Sequence, residues 1–272
     1  MTSRDIFQAL NDQDAATLEM VVARMEMRAR DPRFVRMRGD YLDRLDLAKV
    51  GSFLDLGCGT GIDARAAAKR PEFKGRAVGV DVSEGMIEAG RRLAAEEGVA
   101  ARVDLRVGDA AAVPLPDASF DAIVMHTLVS HVKEPAAVLR DARRLLAPEG
   151  KLVVFDADFA SLSFGYPDAD VARAMEEALL ATFVANPRIM RDLPRLVGDC
   201  GLAIADVQAS ILADVGTSAF FPGMIDNYAP LVSRFGLLDA AVVEAWIEEQ
   251  RRSMAEGRFF GSLSFYAYLL RR

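Results

Sequence analysis

Three carboxylates and a run of glycines hold the residue types from which a binding site could be built. Positions 53–63 read FLDLGCGTGID, an apolar run containing Asp55 that breaks into Gly57, Gly59 and Gly61, with Cys58 inside the turn. Glycine there permits φ > 0 and leaves no Cβ between the main chain and a ligand. Asp81 comes twenty positions after Gly61 and ends a second apolar run, and Gly108-Asp109-Ala110 follows a third. A carboxylate at Asp81 can accept from two ribose hydroxyls. One at Asp109 can accept an exocyclic amine, with a backbone N–H beside it for a ring nitrogen. A dinucleotide fingerprint would place its third glycine where Ile62 stands, and Asp55 would repel phosphate. An acid beside the turn suits a nucleoside that carries an amine and a cation. Each acid singly also has a plain structural reading, as a helix cap or turn residue.

His126 and His131 are the only two histidines. Both follow the fourth apolar run, which makes them the candidate general bases, with a structural role open to each. Asp156 and Asp158 face the same edge. Arg38 and Tyr41 stand at i, i+3 on a helical segment and could meet a ligand carboxylate.

A scaffold must bring these residues together. Apolar periodicity predicts helices at 15–30, stopped by Pro32, and at 34–45. A regular alternation follows: strands at 52–56, 76–80, 102–107, 120–125 and 151–155, with helices at 62–70, 83–97 and 134–146 between them. Such alternation indicates an α/β fold, a parallel Rossmann-like doubly wound sheet with helices on both faces. Beyond it, 157–167 reads as a loop, 169–184 and 187–200 as helices and 202–212 as strand six. The stretch 216–236 is irregular, 238–255 is an amphipathic helix with Trp246, and 263–270 is strand seven. The predicted organisation is a helical cap at 1–50 and a ligand-binding domain at 51–272, with lid or substrate insertions at about 157–190 and 216–260.

The stretch 52–156 resembles the class I S-adenosylmethionine-dependent methyltransferases, in the small-molecule branch similar to the ubiquinone/menaquinone-biosynthesis enzymes. The matching runs are LDLGCGTG at 54–61, VGVDVSEGM at 78–86, GDAAAVPLPDASFDAIV at 108–124 and LLAPEGKLVV at 145–154. The resemblance implies a seven-stranded sheet with the last strand antiparallel beside the fifth, and S-adenosyl-L-methionine as cofactor, released as S-adenosyl-L-homocysteine. By the same resemblance, Asp55 and the Gly57–Gly61 backbone with Cys58 hold the methionine moiety and Asp81 the ribose. Val82 and Met86 flank the adenine, Asp109 and the Ala110 N–H read its edge, and Met125 and His126 line the methionine end. The family often carries His-His or Glu-His after strand four, where this chain has Ser130-His131.

The net charge of −7 disfavours a phosphate-rich partner, so nucleic acid is not expected. No apolar run approaches the roughly 20 residues of a membrane span. Two cysteines without metal spacing fit a reducing, cytoplasmic setting, and no metal site is expected. The aromatics of the insertions (Phe159, Phe164, Phe183, Phe220, Phe221, Tyr228, Phe259 and Phe260) predict an apolar pocket, about half of them being core. The expected activity is methyl transfer to O, N or C of a small, largely apolar metabolite, with a homodimer admitted but not required. The alternatives are a SAM-binding cyclase, decarboxylase or regulatory module and, further off, an RNA methyltransferase or a dinucleotide oxidoreductase.

Overall fold

The computed structural model describes residue 11 and residues 14–272, so the rest of the expected 1–50 cap lies outside the described residues. Two helices come first, α1 (Ala15–Arg30) and α2 (Pro32–Arg44). Asp14 caps α1 by accepting from the Thr17 N–H, and Asp31 caps α2 by accepting from the Arg33 N–H. Pro32 sits in the first turn of α2, where its missing N–H costs nothing, so it separates the helices by starting the second.

The alternating core follows as β1 (Ser52–Leu56), α3 (Ile62–Lys69), β2 (Arg76–Asp81), α4 (Glu84–Glu96), β3 (Val103–Val107), β4 (Phe120–His126), α5 (Pro135–Leu145) and β5 (Leu146–Phe164). Then come α6 (Ala169–Phe183), α7 (Ile189–Asp199), β6 (Ala203–Gly216), α8 (Pro222–Asn227), α9 (Ala229–Arg234), α10 (Ala240–Ala255) and β7 (Phe259–Arg271). The seven strands lie in the order β3-β2-β1-β4-β5-β7-β6. β1 to β5 are parallel, and β7 runs antiparallel between β5 and β6. Strand order reverses between β1 and β4, and open α/β sheets bind ligands above the C-terminal strand ends at such a point.

Side-chain alternation divides the core into two layers. Phe53, Ala122 and Val124 face the layer of Tyr41 and Ala67, while Leu54, Leu56, Ile123 and Met125 face Val138, Leu139 and Leu193. One step along β4 therefore decides on which face of the sheet a residue lies.

The largest departure from the sequence reading is the region after Phe155. The segment 157–164 is not a loop but the continuation of β5, paired with β7 from Ala157↔Phe265 to Phe164↔Gly261. β6 likewise runs on to Gly216, opposite Phe259. The irregular stretch 216–236 contains α8 and α9. This extension carries the Tyr41 layer of the core outward. Trp246 is fully buried, with its ring edge-on to Phe164 at 5.1 Å and 90°, and Phe164 meets Phe221 at 5.3 Å. Among the described residues no helix is long and apolar enough to cross a membrane.

Candidate functional site

The glycine turn is fixed from below by β2. The Gly57 and Cys58 N–H groups both donate to the Val80 carbonyl, at 2.8 and 3.0 Å. Gly57 and Gly59 have φ of +65° and +53°, so side chains there would be strained. A Cβ on Gly57 would also lie 2.4 Å from the Leu128 side chain, and one on Gly59 2.6 Å from that of Met25. Asp55 accepts the Ala64 N–H at 3.0 Å, at the start of α3. Burial and the carboxylates of Asp63 and Asp81 push the Asp55 carboxyl well above its usual range.

Asp81 ends β2 with each oxygen taking one backbone donor, Gly59 N–H at 2.8 Å and Ser83 N–H at 2.9 Å. Burial raises its pKa against those two bonds. Ser83 caps α4 at Met86, which sets Val82 and Met86 beside Asp81. Asp109 accepts the Ala111 N–H at 2.8 Å, the plain turn role, and still faces the same space.

That space is a cavity of about 1210 Å³, including its open mouth, above the switch point. Its walls include Asp55, Gly57, Cys58, Gly59, Asp81, Val82, Met86, Asp109, Ala110, His126 and His131. The structure thus brings together residues from four strand ends. Arg38 reaches the cavity too, although its guanidinium is also engaged by Asp63 (3.4 Å) and the Ala29 carbonyl (3.2 Å). Burial raises the Cys58 thiol well above its ordinary pKa, so it packs as a neutral group.

α1 and α2 form the roof. Glu26 accepts from the Thr60 hydroxyl at 2.6 Å and pairs with buried Arg65, which also pairs with Glu97. This ties α1 to the glycine turn and to α3. Met25, Arg28, Ala29 and Phe34 then close the cavity from above. The Arg28 guanidinium lies 5.0 Å over the Phe34 ring and donates to the Thr127 hydroxyl at 3.0 Å. Burial lowers its pKa, and the nearby Asp156 charge opposes that. Thr127 has φ of +53°, a strained value for a β-branched residue.

Three expected site residues lie elsewhere. Tyr41 does not line the cavity: it is fully buried beneath it, its hydroxyl donating to Asp63 and lying 2.9 Å from His126 Nδ1. Met125 points to the opposite sheet face, because strand alternation sends 125 and 126 apart. Gly61 caps α3 in a left-handed conformation and packs under Leu105. The insertion aromatics line no part of the cavity. Phe159, Phe164, Phe183, Phe221 and Phe259 are core, Phe220 and Tyr228 pack against it, and Phe260 is exposed. The apolar wall comes instead from Met25, Phe34, Ile62, Val82, Met86, Leu128 and Val132.

Asp156 is fully buried and accepts from the Ser130 N–H, the Ser130 hydroxyl and the Ala157 N–H. Burial raises its pKa, against the nearby His131 charge and those bonds. Asp158 pairs with Arg191. Neither lines the cavity.

The reading from residues alone missed Asp63, Arg28 and Thr127. Asp63 accepts from Tyr41, faces Arg38 and lies 3.2 Å from His126 Nδ1. Its only sequence signal is an acid in the first turn of a helix, which usually means dipole compensation. Among the described residues no cluster of three or more His, Cys, Asp or Glu could hold a metal ion.

The chain is similar in sequence and fold to known proteins. Residues 54–154 match the methyltransferase-domain family. The chain is 36% identical over 227 residues to an uncharacterized 37.1 kDa protein of transposon Tn4556 from Streptomyces fradiae, covering 83% of this chain and 64% of that protein. It is 35% identical over 104 residues to a demethylmenaquinone methyltransferase of Symbiobacterium thermophilum, covering 38% and 41% of the two chains. The chain therefore spans less than two thirds of the length of both relatives. The YcgJ protein of Bacillus subtilis shares the fold, with a TM-score of 0.59 at 20% identity over 86% of this chain and 97% of that one.

Proposed function

Because residues 54–154 match the methyltransferase-domain family, we propose that this chain transfers a methyl group from S-adenosylmethionine to a small, largely apolar metabolite. One observation carries the reading. Asp55, Asp81 and Asp109 stand around a single cavity at the switch point, with Arg28 and Arg38 at its roof. Those acceptors suit an ammonium and ribose hydroxyls, and the arginines suit the carboxylate of the same ligand.

In this reading Asp81 takes the ribose, each of its oxygens keeping acceptor capacity beyond its one backbone bond. Val82 and Met86 sandwich the base, with Asp109 and Ala110 at its edge. Asp55 with the Gly57 and Gly59 backbone holds the amino-acid end, and Arg38 supplies a cation for its carboxylate. When bound, the cofactor supplies an electrophilic methyl carbon on sulfur. The chain's own share of the rate is alignment in a cavity partly walled by Leu128, Phe34 and Met25, and good alignment is worth roughly 7–11 kcal/mol. The likeness to a demethylmenaquinone methyltransferase supports an apolar substrate here, and the apolar side chains of the roof agree with that.

The test is a panel of phenolic, quinol, amine and enolic acceptors incubated with S-adenosylmethionine. Release of S-adenosylhomocysteine matched by a one-methyl mass gain in an acceptor is the expected result. Cofactor binding without transfer to any acceptor of the panel would count against the reading.

A further inference from the structure

Resting on the methyl-transfer reading, we propose that Asp63 is a positioning residue that fixes His126 with its proton on Nδ1, so that Nε2 presents a free lone pair to the cavity as the base for an acceptor bearing an O–H or N–H proton. The geometry restricts the proton positions. Tyr41 has one hydroxyl proton, and Asp63 Oδ1 lies within hydrogen-bond reach of it. A carboxylate can only accept, so the Tyr41 proton goes to Asp63. His126 Nδ1 then faces two acceptors, the Tyr41 oxygen at 2.9 Å and Asp63 Oδ2 at 3.2 Å. It must donate. The opposite tautomer would leave lone pairs facing each other in a buried cluster, at the full penalty of an unpaired polar group.

The ring is held as well as polarised. Phe155 packs against it at 4.6 Å and Tyr41 stands edge-on at 6.1 Å. The strained Thr127 follows immediately and is pinned at its N–H to the Phe155 carbonyl at 2.7 Å. No protein group among the described residues bonds Nε2, nor is that atom sealed off, because His126 lines the cavity.

The charged and titratable groups facing the ring are Asp63 on α3, Tyr41 and Arg38 on α2, and Arg28 on α1. Burial and the two arginines keep it neutral at pH 7, with Asp63 opposing them. Burial also works to raise the Asp63 carboxyl, but His126, Arg38 and Tyr41 together hold it below its ordinary range. With His126 neutral, Arg38 and Tyr41 remain to keep Asp63 ionised.

In the step this implies, the lone pair of the acceptor oxygen or nitrogen forms a bond to the methyl carbon. The carbon–sulfur bond breaks with its electron pair passing to sulfur, and the acceptor's proton passes to His126 Nε2. Such a base adds about 10²–10⁴-fold. It adds nothing for a nucleophile with no proton to lose, so the acceptor class is a hydroxyl, enol or amine.

The experiment is a long-range ¹H–¹⁵N correlation spectrum of the full chain, which has only two histidines to assign. His126 should carry its proton on Nδ1 in the unsubstituted protein. In Asp63→Asn, Arg38 keeps an acceptor at the Oδ1 position, so the introduced amide nitrogen faces Nδ1 and the proton should move to Nε2. Tyr41→Phe leaves the Asp63 contact and should keep the proton on Nδ1. With an acceptor in hand, kcat/KM of Asp63→Asn should fall by about 10²-fold or more while its affinity for S-adenosylhomocysteine stays within about threefold. A proton on Nε2 in the unsubstituted protein would overturn the proposal, and that spectrum decides it even should Asp63→Asn not fold. An unchanged tautomer in a folded Asp63→Asn would also overturn it. Failure of the unsubstituted protein to bind S-adenosylhomocysteine would instead strike the cofactor reading and leave the tautomer result standing.

Discussion

Single residues decide the chemistry, and His126 gives a pH dependence with a defined sign. Burial and the Arg28 and Arg38 charges lower its pKa against the pull of Asp63. Its basic form therefore persists below the ordinary value of about 6.5, and the acid limb of kcat/KM should fall below that pH. Stability follows the same sign. The fold favours the neutral ring, so its contribution is complete above pH 6.5 or so and is lost as pH falls through the depressed value. Urea titrations of the protein and of His126→Gln should diverge over that window and run parallel above it. At this scale the sequence was legible where a residue ends a strand, as Asp55, Asp81 and Asp109 do. Asp63 was not, because its meaning comes from Tyr41, 22 positions away, and from His126 on a different strand. Tyr41 was placed at the ligand because helical spacing pairs it with Arg38. In the fold it faces inward, and its hydroxyl bonds protein rather than ligand.

At the scale of elements, the glycine turn and the aromatic extension make opposite predictions. Gly57→Ala would place a methyl against Leu128 on a backbone with φ of +65°. Strain of about 1–3 kcal/mol and a displaced cavity wall should weaken S-adenosylhomocysteine binding by about tenfold or more, read by calorimetry. Trp246→Ala empties the outer part of the core, where Trp246 itself lines no part of the cavity, and should cost about 3–5 kcal/mol in denaturant titrations. Cofactor affinity should stay within about twofold, whereas a large loss would return the aromatics to the pocket. The short core strands could be read from their own apolar runs between turn residues. The extension of β5 could not, because 157–164 mixes serines, an acid and aromatics and becomes a strand only by pairing with β7 about 100 positions later. The helices α8 and α9 are about one and a half turns each, too short for periodicity to register.

For the whole molecule, the net charge of −7 and the absence of a long basic run favour a small partner over a polymer. No gel-shift complex with tRNA is expected at about 10 μM protein and 50 mM salt, where non-specific binders associate. A salt-sensitive complex would reopen the RNA reading. The cap at 14–50 acts with the sheet rather than apart from it, since Glu26, Arg38 and Tyr41 are built into the site's own network. The glycine-and-carboxylate end of the cavity was legible from motifs, because strand ends and glycines recur in fixed order. The roof was not, being assembled from helices that meet the sheet only in the folded chain. The claim on which the rest stands is that Asp81 holds a ribose at the end of β2. Calorimetry of S-adenosylhomocysteine against the unsubstituted protein and Asp81→Ala tests it directly. The account predicts at least about tenfold weaker binding in the variant, some 1.4 kcal/mol; unchanged affinity would contradict it.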